Sequence, residues 1–193
     1  MATSKNGVFQ DDVLDSLVQD PTRSVRDIAK GLQSYRQKVW RQKKKLEEEH
    51  IIWGYTAVVN ERKLNHTLHL IFLKMKPLDE GLVSLMQERL KDSASQDVRI
   101  LNVLLINGDY DWAVMFSAKD HATARRYYDS IRLAYDGWLL DKPMIVDVAL
   151  SLIREGKKNP EPDRLYDFIP KNTLKHDKHA LNPRGVADSD PNI

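Results

Sequence analysis

The rhythm of apolar residues changes once along this chain, near residue 66, and that change limits the folds open to it. Before it, apolar side chains recur at helical spacing: Val13, Leu14, Leu17 and Val18, then Val25, Ile28, Ala29 and Leu32, then Val39 and Leu46. After it, short runs rich in β-branched and aromatic residues alternate with helical stripes. With 193 residues and 41% hydrophobic content, the chain suits two small cores better than one. No run approaches the roughly 18 apolar residues of a membrane span. The opening stretch MATSKNG lacks the apolar centre of a signal peptide, so a cytoplasmic protein without membrane association is expected. Zero cysteines exclude disulfides, thiolate zinc sites and cysteine nucleophiles.

The first stripe stops at Asp20-Pro21, where proline opposes a helix. Thr22 or Ser24 can cap a second helix that ends near Gly31, and Ser34 with Gln37 makes a capping box for a third, running to about Glu49 with Val39, Lys43 and Leu46 inward. Three short helices with a tight second turn make a helix-turn-helix. The stretch Ile51 to Val59, with its β-branched and aromatic residues, reads as a wing or linking strand.

Beyond residue 66 the pattern gives a strand at Leu68–Lys76, then a helix carrying Leu82, Leu85, Met86 and Leu90. A strand at Val98–Asn107, a turn at Gly108-Asp109-Tyr110 and a return strand at Asp111–Ala118 follow. Asp120 caps a helix with Ala124, Tyr128, Ile131 and Tyr135 inward, and a last strand spans Met144–Ile153. The expected fold class is therefore α+β: a winged helix-turn-helix at 8–53, a linking strand and hinge at 54–65, and a ferredoxin-like βαββαβ domain at 66–155. Residues 156–193 hold five of the eight prolines and read as a tail, with Leu165, Tyr166, Phe168 and Ile169 as a cluster able to dock. The first strand of the second domain is apolar on both faces, Leu68, Leu70 and Phe72 against Ile71, Leu73 and Met75. One face suits the helices and the other a second copy of the chain, so a homodimer is expected.

Three stretches carry a family resemblance. They are the helix-turn-helix ending in Val39, Leu46, Ile51 and Ile52; the segment Trp53-Gly54-Tyr55-Thr56-Ala57-Val58-Val59-Asn60; and Gly108-Asp109-Tyr110-Asp111. Together they resemble the Lrp/AsnC (feast/famine) transcriptional regulators over roughly residues 10 to 155. The resemblance implies dimers and often octamers, with an amino acid or related metabolite bound between subunits near the hairpin. The chain departs from the pattern where Gln33 replaces a frequent turn glycine, where Lys43 stands for an aliphatic residue, where His50 replaces a glycine, and in its proline-rich extension.

Between Arg23 and Lys45 nine basic side chains face Asp27 alone. At about 100° per helical residue, inward Val39 and Leu46 put Gln37, Lys38, Arg41, Lys44 and Lys45 outward. Arg23, Arg26, Arg36, Gln37, Lys38, Arg41, Gln42, Lys44 and Lys45 are the residues expected to contact double-stranded DNA, arginine and glutamine at base edges and lysines at phosphates. The bland alternative is a solvated charged face. Asn107, Gly108, Asp109, Tyr110 and Asp111 are the expected effector contacts, although such turns are common without a ligand. His66, His69 and His121 read as ordinary surface or core residues, and His176 and His179 have metal-like spacing without further ligands. No catalytic set, metal site or cofactor is expected. The competing readings are a tetrapyrrole decarboxylase-like enzyme of the same architecture, which needs no basic helix, and a DNA-organising protein of low specificity.

Overall fold

The computed structural model describes residues 5–91 and 97–170, and the chain divides after Ala57 into two compact units. The first contains three helices: α1 (Lys5–Gln19), α2 (Val25–Gly31) and α3 (Arg36–Glu48). Val13, Leu17, Ile28, Ala29, Val39 and Leu46 form its core, with Phe9, Leu14, Val25, Leu32 and Ile52 packed around them. Val18, part of the apolar rhythm of the first helix, is exposed. Ser24 caps α2: its hydroxyl accepts the Asp27 N–H at 3.1 Å and bonds the Asp27 carboxylate in return.

Both helices of the tight turn end in the same way. At the end of α2 the Ser34 N–H bonds the Ala29 carbonyl at 2.8 Å and the Gln33 N–H bonds that of Lys30 at 3.3 Å. At the end of α3 the Ile51 N–H bonds Leu46 at 3.0 Å and the His50 N–H bonds Glu47 at 3.1 Å. These are Schellman closures, which place one residue in the left-handed region, most often glycine. Here those residues are Gln33 (φ 49°) and His50 (φ 55°). The two departures noted in the sequence therefore leave the backbone path of a glycine with a side chain on it. The same closure corrects the expected start of α3. Ser34 is occupied in finishing α2, so the N-cap is Tyr35, which makes no side-chain cap bond.

The strand expected over residues 51–59 does not form; residues 53–60 carry no regular structure and Trp53 is 95% exposed. A strand needs a partner for its backbone groups, and the first unit has no other strand among the described residues.

The second unit follows the expected order: β1 (Thr67–Leu73), α4 (Glu80–Lys91), β2 (Val98–Leu105), β3 (Trp112–Ala118), α5 (His121–Ala134) and β4 (Met144–Asp147). Its antiparallel sheet has the order β2-β3-β1-β4, the ferredoxin-like arrangement. Ile71, Leu73, Val114 and Phe116 point from the sheet into a core closed by Leu82 of α4 and by Ala124, Tyr128 and Ile131 of α5. Both helices begin on an aspartate. Asp79 accepts the Leu82 N–H and Asp120 that of Thr123, each at 2.7 Å, and these bonds hold both carboxyls below the usual range.

The opposite face of the sheet carries Leu70, Phe72, Met115 and Val146, all half-buried. Near one end of the sheet a buried carboxylate gathers three segments. Glu61, in a 3-10 turn at Glu61–Leu64, pairs with Arg99 of β2 at 3.0 Å and with Arg154. Arg154 belongs to a small hairpin, β5 (Ile153–Arg154) and β6 (Lys157–Lys158), and a 3-10 helix follows at Pro162–Phe168. The last long strand is thus shorter than expected, and residues 156–170, expected in the tail, are folded; Leu165, Tyr166 and Phe168 remain exposed. His176 and His179 lie outside the described residues. No helix of the described residues is long and apolar enough to cross a membrane.

Left-handed backbone costs a non-glycine residue roughly 1–2 kcal/mol, part of which glycine returns through the greater freedom of its unfolded chain. Gln33→Gly and His50→Gly should each stabilise the first unit by about 0.5–1 kcal/mol in urea unfolding. Destabilisation by both would contradict the strain assigned to these positions.

Candidate nucleic-acid interface

Helix α3 is held by Val39 and Leu46, both 0% exposed, so its remaining faces are set by rotation from them. Gln37, Arg41 and Lys44 lie opposite the core and are exposed, with Arg36 and Trp40 on one flank and Lys38 and Lys45 on the other. Gln42 lies on the inward side, half-buried, with its amide nitrogen buried and unbonded. It cannot face a groove beside Arg41. Lys43 is also turned from the exposed face, its ammonium 5.0 Å from the Tyr55 ring.

The run of basic residues is not uniformly free. Lys43, Lys44 and Lys45 pair with Glu47, Glu48 and Glu49 one turn later, at 3.8, 3.4 and 3.6 Å. The three glutamates thus offset the three lysines. Exposed pairs of this spacing are worth only about 0.3–0.5 kcal/mol each, so a phosphate can displace the carboxylate, but the lysines do not start bare. Among the described residues no carboxylate lies within ion-pair distance of Arg26, Lys30, Arg36, Lys38 or Arg41. Lys38 instead sits 3.9 Å from the Phe9 ring. Arg26, Lys30 and Arg36 line one shallow depression with Ser24 and Ser34, at the junction of α2 and α3. Arg23 rests against Gly31, at the carbonyl end of α2, where a cation is favoured. The available positive charge is therefore concentrated at the turn and the first half of α3.

Two aromatic residues join this face without having been assigned to it from the sequence. Tyr35, at the start of α3, is 83% exposed, and Trp40 is 51% exposed with Lys44 at 5.6 Å from its ring. Only the failed capping box, which moves the helix start to Tyr35, could have pointed to the first. Tyr55 straps the following segment to α3: its hydroxyl donates to Glu47 at 3.0 Å, and burial together with that carboxylate raises its pKa to about 12.

The hairpin 107–111 divides in two. Asn107, Gly108 and Asp109 are exposed, and Gly108 has open space around it and no positive φ. Tyr110 packs on Phe72, ring centroids 5.5 Å apart, and the Asp111 carboxylate accepts the Met75 N–H at 2.7 Å. Those two residues are already used by the fold. Two cavities lie elsewhere in the second unit: one of about 540 Å³ between α4, α5 and the sheet, and one of about 560 Å³ bordered by residues 58–68 and 147–164.

No protein-family profile and no curated protein matches the chain. Solved structures do. An AsnC family transcriptional regulator from Agrobacterium tumefaciens superposes with a TM-score of 0.59 at 17% identity, covering 75% of this chain and 91% of that one. The chain has the fold of the Lrp/AsnC regulators. The leucine response regulatory protein LrpA of Mycobacterium tuberculosis gives 0.61 at 13% identity over 78% and 97% of the two chains. A Neisseria meningitidis transcriptional regulator, solved as a complex with L-methionine, gives 0.57 at 14% over 84% and 99%. The Lrp/AsnC fold thus accounts for both units, a helix-turn-helix followed by a ferredoxin-like domain.

Because Arg41 has no carboxylate partner among the described residues and Lys44 is shared with Glu48, their removal should differ. Arg41→Ala should cost about 1–3 kcal/mol on a specific site if it reaches a base edge. Lys44→Ala should weaken all sequences alike, with the log-log salt slope falling by less than the ~0.9 of a free phosphate contact. Fluorescence anisotropy at several salt concentrations distinguishes them, and equal, sequence-independent losses would place Arg41 on phosphate as well.

Proposed function

We propose that the protein is a sequence-specific DNA-binding transcriptional regulator of the Lrp/AsnC type. The observation that carries this reading is the exposed face of α3, where Arg36, Lys38 and Arg41 have no carboxylate partner among the described residues while Arg26 and Lys30 flank the turn beside them. A helix N-terminal half bearing exposed arginines and Gln37 can enter a major groove, with Arg26 and Lys30 placed for flanking phosphates. A decarboxylase of the same architecture gives no reason for such a face.

The protein acts as a homodimer through the second unit. Leu70, Phe72, Met115 and Val146 leave an apolar strip on the sheet face away from the helices, flanked by exposed Met144 and Leu104. A second copy of the same face is its natural cover. Leu70→Lys should give a folded monomer in sedimentation at micromolar concentration, whereas an unchanged dimer would move the interface elsewhere.

An amino acid is the proposed effector, at the exposed tip Asn107, Gly108 and Asp109, with Tyr110 and Asp111 fixing the hairpin. Support comes from the L-methionine complex of the Neisseria meningitidis neighbour. Genomic fragments captured by the protein, sequenced, and titrated against random DNA at stated salt test the whole reading. The expected preference for captured sites is about 10³-fold or more, altered by at least one amino acid in a panel. A ratio near one would leave a DNA-organising protein, and no binding at all would remove the regulator.

A further inference from the structure

Three side chains from three separate elements meet in the second unit: His69 of β1, His121 at the first turn of α5 and Asp147 at the end of β4. His69 and Asp147 are cross-strand partners in the β1–β4 register. The His69 ring is 1% exposed and stacked on Phe116 with centroids 5.2 Å apart, so its position is fixed. His121 and Asp147 are 71% and 64% exposed and free to adjust.

His69 Nε2 lies 2.7 Å from the Thr67 hydroxyl, which also donates to the Ala118 carbonyl at 3.3 Å. With a metal on Nδ1 the ring proton sits on Nε2, and this hydroxyl accepts it. This is the arrangement by which an oxygen atom behind a ligating histidine fixes its tautomer.

Asp147 Oδ1 lies 2.7 Å from the buried Nδ1 of His69. His121 Nδ1 lies 3.9 Å from the other oxygen of Asp147, and one ligand atom from each residue falls within 4.8 Å of the others. Ligands about 2.0–2.1 Å from a tetrahedral ion are roughly 3.3–3.5 Å apart. Turning the two exposed side chains brings the set to that spacing, while the buried histidine needs no movement.

We propose that His69, His121 and Asp147 form a binding site for a divalent transition metal. Two imidazoles and one carboxylate suit zinc and its neighbours, whereas calcium and magnesium favour oxygen alone. Three protein ligands leave a coordination position open, and Thr67, His121 and Asp147 line the cavity of about 560 Å³ described above, which gives access to water or a small ligand. The metal ties the edge strand β4 to β1 and to the start of α5.

The test uses the full chain, freed of metal with a chelator, and zinc chloride as the probe in isothermal titration. The chain and a His176→Ala/His179→Ala variant should each bind one zinc ion at this site, with no matching response to magnesium. His121→Ala and Asp147→Asn, both at exposed positions, should raise the dissociation constant by at least about tenfold, and Thr67→Val by about tenfold or more through the lost support of Nε2. Zinc should also shift the His69 Nδ1 resonance in nitrogen-15 spectra. Unchanged affinity in the His121 and Asp147 variants, loss confined to the His176/His179 variant, an unmoved His69 resonance, or no zinc binding by the parent would each overturn the proposal.

Discussion

Val39 and Leu46, seven residues apart and wholly buried, hold α3 against the first unit by a single stripe. Seven residues make two turns with a remainder of about 20°, so the two side chains point nearly the same way and leave most of the helix circumference free. Every feature proposed for DNA recognition follows from that stripe. It turns Arg41, Lys44 and Gln37 to solvent, brings Gln42 inside and puts Tyr35 at the exposed start of the helix. Truncating either anchor would cost about 1–5 kcal/mol of packing and would free the helix to rotate, which would damage recognition as surely as removing the arginines.

Charge within that face is graded. The three glutamates after Leu46 absorb the three lysines before it through pairs one turn apart. The cations without a carboxylate partner among the described residues belong to the turn and to the first half of α3, the part that contacts base edges when a recognition helix enters a groove. In the second unit the sheet plays a comparable double role. Its inner face closes a core with α4 and α5, and its outer face offers an apolar strip. The Glu61 cluster with Arg99 and Arg154 holds the turn at 61–64 and the hairpin at 153–158 to this unit.

The element order was legible because each core stripe has a clear period: Ala124, Tyr128 and Ile131 read as a helix, and β1 reads as a strand with two apolar faces. The errors have physical causes. Ser34 looked like a cap because its spacing to Gln37 fits a capping box, but its backbone is spent on closing α2. Residues 51–59 have strand composition without a partner strand. The fold after residue 152 is tied by Arg154 and Glu161 to Glu61 and Lys63, nearly a hundred residues away, contacts that no local pattern reveals. For the interface, the outward position of Arg41 and the inward turn of Gln42 both follow from helical geometry, whereas the pairing of each lysine depends on side-chain conformation that no spacing reveals. The convergence of His69, His121 and Asp147 depends on sheet register and was out of reach of sequence spacing.

The most direct test of the central claim is the mapping of backbone amide shifts in the isotopically labelled protein as a captured DNA fragment is added. Perturbation concentrated at the α2–α3 turn and at Tyr35, Arg36, Gln37, Trp40 and Arg41, with smaller changes at Lys44 and Lys45, is the predicted result. Binding that leaves these amides unmoved while others shift would show that α3 is not the recognition helix.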